Sequence, residues 1–263
     1  MDLGLSGRPA LVAAASKGLG RGCATALAAE GARVAICARD RGALERTRDE
    51  ISEETGATIV AIPADVSEED GARLFVREGA EALGGCQILV PNAGGPPTGR
   101  FENFSDGEVR QALELNFLST TWMAREALPL MREAGYGRIV VISSTAVKQP
   151  IPGLILSTSA RAAAAGWAKA LADEVARDGI TVNTVFPGRF LTDRIRFLHR
   201  DRAERSGRTE EEERADDEGS IPVGRIGDPR ELGEVVAFLC SERAAYITGT
   251  FLQVDGGMYR GLL

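Results

Sequence analysis

The chain has 263 residues, 44% hydrophobic and 26% charged, which excludes a disordered, collagenous or fibrous protein. Its formal charge of −7, from 31 basic and 38 acidic residues, disfavours general nucleic-acid binding, which needs clustered Lys and Arg against phosphates. No stretch reaches the ~18 to 20 uninterrupted apolar residues of a membrane span.

The first residues, Met1 to Arg8, show neither a basic segment before an apolar run nor an Arg/Ser-rich transit pattern, so a cytoplasmic location is expected. Apolar runs at 9–15, 33–38, 58–62, 87–90, 138–142, 181–185 and 251–254 alternate with helical patterns. This alternation predicts an α/β fold: a doubly wound parallel sheet of about seven strands with helices on both faces. Neither repeat nor linker interrupts it, so residues 1–263 read as one domain. Gly31 is placed to end the first helix. Ser67 and Ser105 each precede acidic residues and are expected as N-caps. Cys23, Cys37, Cys86 and Cys240 sit in apolar stretches without a CxxC spacing and read as core residues. The single histidine, His199, leaves no His-rich metal site, and none is expected.

Residues 192–220 break the rhythm. The run 208–218 (RTEEEERADDE) is almost wholly charged and reads as a solvated helix; the alternative is a substrate lid, since long connections in compact domains are often functional.

After the first strand comes Ala13-Ala14-Ala15-Ser16-Lys17-Gly18-Leu19-Gly20, opening a helix. Small residues let the backbone approach a pyrophosphate, and the helix N-terminus offers it unpaired N–H groups. The second strand ends in Ala38-Arg39, where an NAD-preferring site places an acid for the ribose. Arg39 and Lys17 could instead reach a 2′-phosphate, which points to NADP(H).

These segments, with others in the same order, resemble the short-chain dehydrogenase/reductase family, and within it the 3-oxoacyl-(acyl-carrier-protein) reductase-like members. Ala13 to Gly20 resembles its TGxxxGxG turn, with Ala13 and Ala14 replacing Thr and the first Gly. Asp65-Val66 resembles the pair flanking the adenine, and Asn92-Ala93-Gly94 the NAG motif. Asn116 matches the active-site Asn and Ser144 the catalytic Ser. Pro187-Gly188 with Thr192 resembles the border of the nicotinamide, and 221–257 the C-terminal portion. The resemblance implies a single-domain Rossmann-type fold, NADP(H), a small carbonyl or acyl-thioester substrate, and a homotetramer paired partly through the Ala-rich helix at 160–175.

One departure limits the transfer. The family's Tyr-x-x-x-Lys falls on Ser157 and Arg161. A serine hydroxyl is far less acidic than a phenol, and arginine stabilises negative charge without relaying a proton. Arg161 lies one helical turn after Ser157 and could still bond cofactor ribose hydroxyls. Lys148, four residues beyond Ser144, is a candidate donor to the substrate oxygen, and otherwise an exposed loop lysine. His199 reads as structural or solvated. Arg189 reads as a surface residue, or a binder of an anionic group. The expected function is hydride transfer to or from a carbonyl or alcohol by an altered proton route. Reduction of a conjugated C=C bond, a non-catalytic cofactor-binding scaffold, and an isomerase or lyase are the alternatives.

Overall fold

The first apolar run forms β1, Pro9–Val12, buried throughout. The chain then builds α1 (Gly18–Ala29), β2 (Arg33–Ala38), α2 (Arg41–Thr55), β3 (Ile59–Pro63), α3 (Glu69–Leu83) and β4 (Ile88–Val90). Next come α4 (Asp106–Leu113), a π-helical segment Glu114–Leu118, α5 (Ser119–Glu133), β5 (Gly137–Ile142), α6 (Ile155–Val175) and β6 (Ile180–Pro187). α7 (Asp193–Ser206), α8 (Glu210–Ser220), α9 (Pro229–Cys240) and β7 (Phe251–Val254) complete it. This computed structural model describes residues 1–262.

All strand pairs are parallel and the order is β3-β2-β1-β4-β5-β6-β7. Winding direction reverses between β1 and β4, opening a crevice at the carboxyl ends of these strands where such sheets bind ligands. Period-two alternation sends Ile139 and Val141 to one face and Val140 and Ile142 to the other. Leu27, Leu44 and Val236 of α1, α2 and α9 cover one face; Phe75, Met123 and Leu171 of α3, α5 and α6 cover the opposite one. Helices α1 and α9 touch backbone to backbone. A Cβ on Gly22 would lie 2.3 Å from the Pro229 carbonyl, and one on Gly233 would lie 2.2 Å from that of Gly22. The four cysteines are buried, and loss of water pushes the thiols of Cys23, Cys37 and Cys86 up to about 12.

Three expectations change. β1 ends at Val12 instead of residue 15, because Ala14 takes a left-handed φ of 48° that no ladder accommodates. Ser105 caps α4 in a capping box with Glu108, but Ser67 caps nothing: its hydroxyl donates to Asp65, and Glu68 takes the cap position of α3. The 208–218 run is helical, yet α8 is not simply solvated, for Glu213 and Asp217 are buried. Gly31, with φ 82°, stops α1 as expected.

Candidate active site

The turn from β1 into α1 is shaped for an anion. Lys17 occupies the N-cap of α1 and has no oxygen to offer the first N–H groups, which receive no side-chain cap. Gly20 cannot be replaced, since a Cβ there would sit 2.5 Å from the Ala14 carbonyl and 2.9 Å from the Asn92 amide. Asn92 donates from Nδ2 to the carbonyls of Ala13 and Ala14, each at 3.3 Å, and Thr47 donates to that of Ser16 at 2.8 Å. A close-fitting backbone, a helix N-terminus without an acceptor and a lysine beside it suit a pyrophosphate.

At the end of β2, Arg39 is 78% exposed and lies 3.8 Å from Asp65, a distance and exposure at which little holds it. Asp40, the adjacent acid, accepts from the Ala43 N–H at 3.0 Å and so caps α2. Val66 is buried beneath this end of β3. Lys17 does not join Arg39; its ammonium pairs with Asp193 at 3.0 Å.

Pro187 closes β6 and Gly188 follows, where a Cβ would meet Asp255 at 2.7 Å. The segment 192–194 then clasps the crevice. Thr192 caps α7 and rests its methyl against Gly18, Asp193 holds Lys17, and Arg194 donates to the Pro96 carbonyl at 3.3 Å.

Of the residues expected at the reaction centre, Asn116, Ser144, Ser157 and Arg161 gather at the ends of β4 and β5. The π-helical segment turns Asn116 inward, where Nδ2 donates to the Gly94 carbonyl at 2.9 Å and the buried Oδ1 has no partner among the described residues. π-bulges of this kind often mark functional positions. Arg161 reaches from α6 into the strand ends. Nη1 donates to the carbonyls of Ile142 at 2.8 Å and Ser143 at 3.3 Å, Nη2 to that of Ala93 at 3.2 Å, and Nε to the Ser157 hydroxyl at 3.3 Å. Burial, and then the charge of Arg194, push its guanidinium down to about 10, which leaves it cationic at neutral pH. Ser144 is partly buried at the end of β5, its Oγ accepting from the Ala146 N–H at 3.1 Å. Asn116, Arg161 and Ser157 are thus joined through the loop after β4 and the end of β5.

Lys148 turns elsewhere. Its ammonium lies 5.1 Å from the Tyr259 ring centroid and against the Gln253 amide oxygen. No tyrosine replaces the missing phenol beside Arg161. Tyr136 donates to the Cys240 carbonyl, Tyr246 is fully exposed, and Tyr259 approaches Lys148.

Sequence reasoning missed an ionic cluster that fastens the 192–220 segment. Asp217, 3% exposed, accepts from Arg189 at 2.8 Å, from His199 Nε2 at 2.7 Å, and from Arg202 in a two-pronged contact at 3.0 and 2.7 Å. A carboxylate only accepts, so Nε2 of His199 carries the hydrogen. Arg189 therefore anchors this cluster rather than standing on the surface, and His199 is structural. A signal existed in the sequence: Glu213 and Asp217 share one face of α8, as His199 and Arg202 share one of α7. A groove of about 900 Å³ lined in part by Arg33, Arg77 and Glu81 lies at the amino ends of β1, β2 and β4, away from the crevice, and contains none of these groups.

The family model described as Enoyl-(Acyl carrier protein) reductase matches residues 13–259. The 3-oxoacyl-(acyl-carrier-protein) reductase FabG of Vibrio cholerae is 33% identical over 257 residues, spanning 98% of this chain and 99% of its own. FabG of Escherichia coli is 34% identical with the same coverage. L-sorbose reductase from Gluconobacter frateurii, solved with NADPH and L-sorbose, superposes with a TM-score of 0.95 at 31% identity over 100% of both chains. A single-substitution variant of the actinorhodin polyketide ketoreductase, solved with NADPH, gives 0.90 at 32% identity over 95% of this chain and 97% of its own. The chain belongs to the short-chain dehydrogenase/reductase family of oxidoreductases.

Proposed function

We propose that the protein is an NADP(H)-dependent reductase of a small carbonyl or acyl-thioester compound that holds the developing oxyanion by fixed donors instead of a neighbouring phenol. The observation that carries this reading is Arg161, a cation at the lysine position of the absent pair, fixed by four hydrogen bonds among strand-end carbonyls and Ser157. Its geometry is set before any substrate arrives, which is the arrangement that makes electrostatic stabilisation effective.

Support for the cofactor comes from the α1 turn for a pyrophosphate, from Arg39 for a 2′-phosphate, and from the NADPH complexes of the sorbose and polyketide reductases. When bound, NADP(H) supplies or accepts the hydride. Ala14, Ser16, Gly18, Leu19 and Gly20 line the phosphate turn, Asp65 and Val66 the adenine side, and Asn92, Ala93, Gly94, Pro187, Gly188 and Thr192 the nicotinamide side. Ser144 and the remaining Nη2 hydrogen of Arg161 face the oxyanion. The unpartnered Oδ1 of Asn116 accepts from a water or a substrate hydroxyl. Lys148 is the candidate proton source, through a rotation away from Gln253. Residues 192–220 serve as the substrate lid.

C=C reduction is the second reading, favoured by the lack of a phenol beside Arg161: hydride goes to carbon and the oxygen needs only charge stabilisation. NADPH consumption against 3-oxoacyl thioesters, small ketones, quinones and enones separates the readings. Consumption with ketones or thioesters supports the first and with enones the second; binding without consumption supports a scaffold. Lys148→Met abolishes turnover without loosening NADPH if Lys148 supplies the proton, and retained activity removes it from the site. We also propose a homotetramer, supported by an outward stripe on α6 in which Ser159, Ala162, Gly166 and Ala170 are exposed. No helix among the described residues is long and apolar enough to cross a membrane.

A further inference from the structure

Charge in the crevice is not balanced. Every other arginine between residues 189 and 214 forms an ion pair, and Arg194 forms none among the described residues. The nearby acids are engaged: Asp193 by Lys17 and Arg196, Asp201 by Arg205. Arg161 likewise has only carbonyl and hydroxyl partners.

The two guanidiniums hold one short loop. Arg161 donates to Ala93, Asn116 to Gly94, and Arg194 to Pro96, and three residues of chain span at most ~10 Å. Gly94, between them, faces open space: a Cβ there would meet nothing within 4 Å. Arg194 is half-buried, its planar group resting near Gly95 and 5.8 Å from the Phe197 ring centroid. One of its five N–H donors is engaged by the protein, which leaves a fork able to take two oxygens of a planar anion. Two like charges held in a partly dry crevice repel unless a ligand neutralises them.

We propose that the substrate carries a carboxylate beside its reacting carbonyl, gripped by the Arg194 fork with the carbonyl oxygen directed to Arg161. The inference rests on the hydride-transfer reading above and names its substrate class. A phosphate of the cofactor is the other anion with this chemistry, and the test distinguishes the two.

Pyruvate and 2-oxobutyrate are titrated calorimetrically, each against its methyl ester, into protein saturated with NADP⁺, so that no turnover intervenes. The acids are expected to bind roughly 10- to 100-fold more tightly than the esters, the range of one charge-assisted contact. Arg194→Met removes the difference and Arg194→Lys restores part of it, while NADPH affinity is unchanged in both. Equal binding of acids and esters overturns the proposal, as does an Arg194→Met protein that keeps the difference but loses NADPH, since Arg194 would then hold a cofactor phosphate. If wild-type protein binds no NADPH, the reading under Proposed function fails and the assignment of the acid as its substrate fails with it, while the acid and ester titration on the free chain separately shows whether Arg194 grips a carboxylate.

Discussion

At Ala14 the chain keeps a Cβ in a left-handed turn, a conformation that costs an L-residue about 1–2 kcal/mol. Ala14→Gly relieves that cost and adds back some unfolded-state entropy, so a net gain of up to ~1 kcal/mol is expected, read as a rise of a few degrees in Tm. Arg39 is the proposed determinant of cofactor choice. With Asp40 committed to capping α2, Arg39→Asp supplies the ribose acid and removes the 2′-phosphate partner. NADPH affinity should fall roughly 10- to 100-fold and NADH affinity rise. Unchanged affinities in fluorescence titrations would remove Arg39 from the site. Arg161 braces the strand ends by its hydrogen bonds and is the proposed oxyanion donor. Arg161→Met leaves the carbonyls of Ala93, Ile142 and Ser143 without this donor, costing about 1–3 kcal/mol for each that water cannot reach, and ends turnover. The double change Ser157→Tyr with Arg161→Lys rebuilds the missing pair, and NADPH-dependent ketone reduction should rise. No gain in kcat would mean that the fixed guanidinium already does the phenol's work.

Among the elements, α7 and α8 are held by charge more than by apolar packing. Removing the Asp217 carboxylate strands Arg189, Arg202 and His199 around a buried site, and breaking such a group costs about 3–5 kcal/mol. Asp217→Ala should therefore loosen 192–220 selectively, seen as faster amide exchange in α7 and α8 with the strands still protected. Burial tends to raise the Asp217 carboxyl, but hydrogen bonds from Arg202 and His199 and the charges of Arg189 and Arg202 outweigh it and hold it below its usual 3.8. Its contribution is thus fully present above that value and is lost as pH falls through the lowered one. Exchange in α7 and α8, corrected for intrinsic rates, should stay flat from about pH 5 to 8 and quicken only below the usual Asp range. Quickening between pH 6 and 8 would assign the fastening to another group.

On the scale of the whole molecule, periodicity carried most of the architecture. The runs at 33–38 and 251–254 match β2 and β7, and the others shift by one to three residues where the ladder begins or ends. Ser105 was legible as a cap because its partner Glu108 lies three residues on; Ser67 was not, because its hydroxyl prefers the preceding Asp65. The phosphate turn could be read from its small residues between strand and helix, and the Ser157 and Arg161 replacements only through the family resemblance. The Asp217 cluster and the contacts of Lys148 and Arg194 join residues tens of positions apart, and only the folded chain brings them together. What unites these parts is a nucleotide site at the switch between β1 and β4 that lacks a phenol beside Arg161. Fluorescence titration of the full chain with NADPH tests this most directly. Saturable binding weakened by Arg39→Asp is predicted, and no complex at millimolar NADPH would contradict the account.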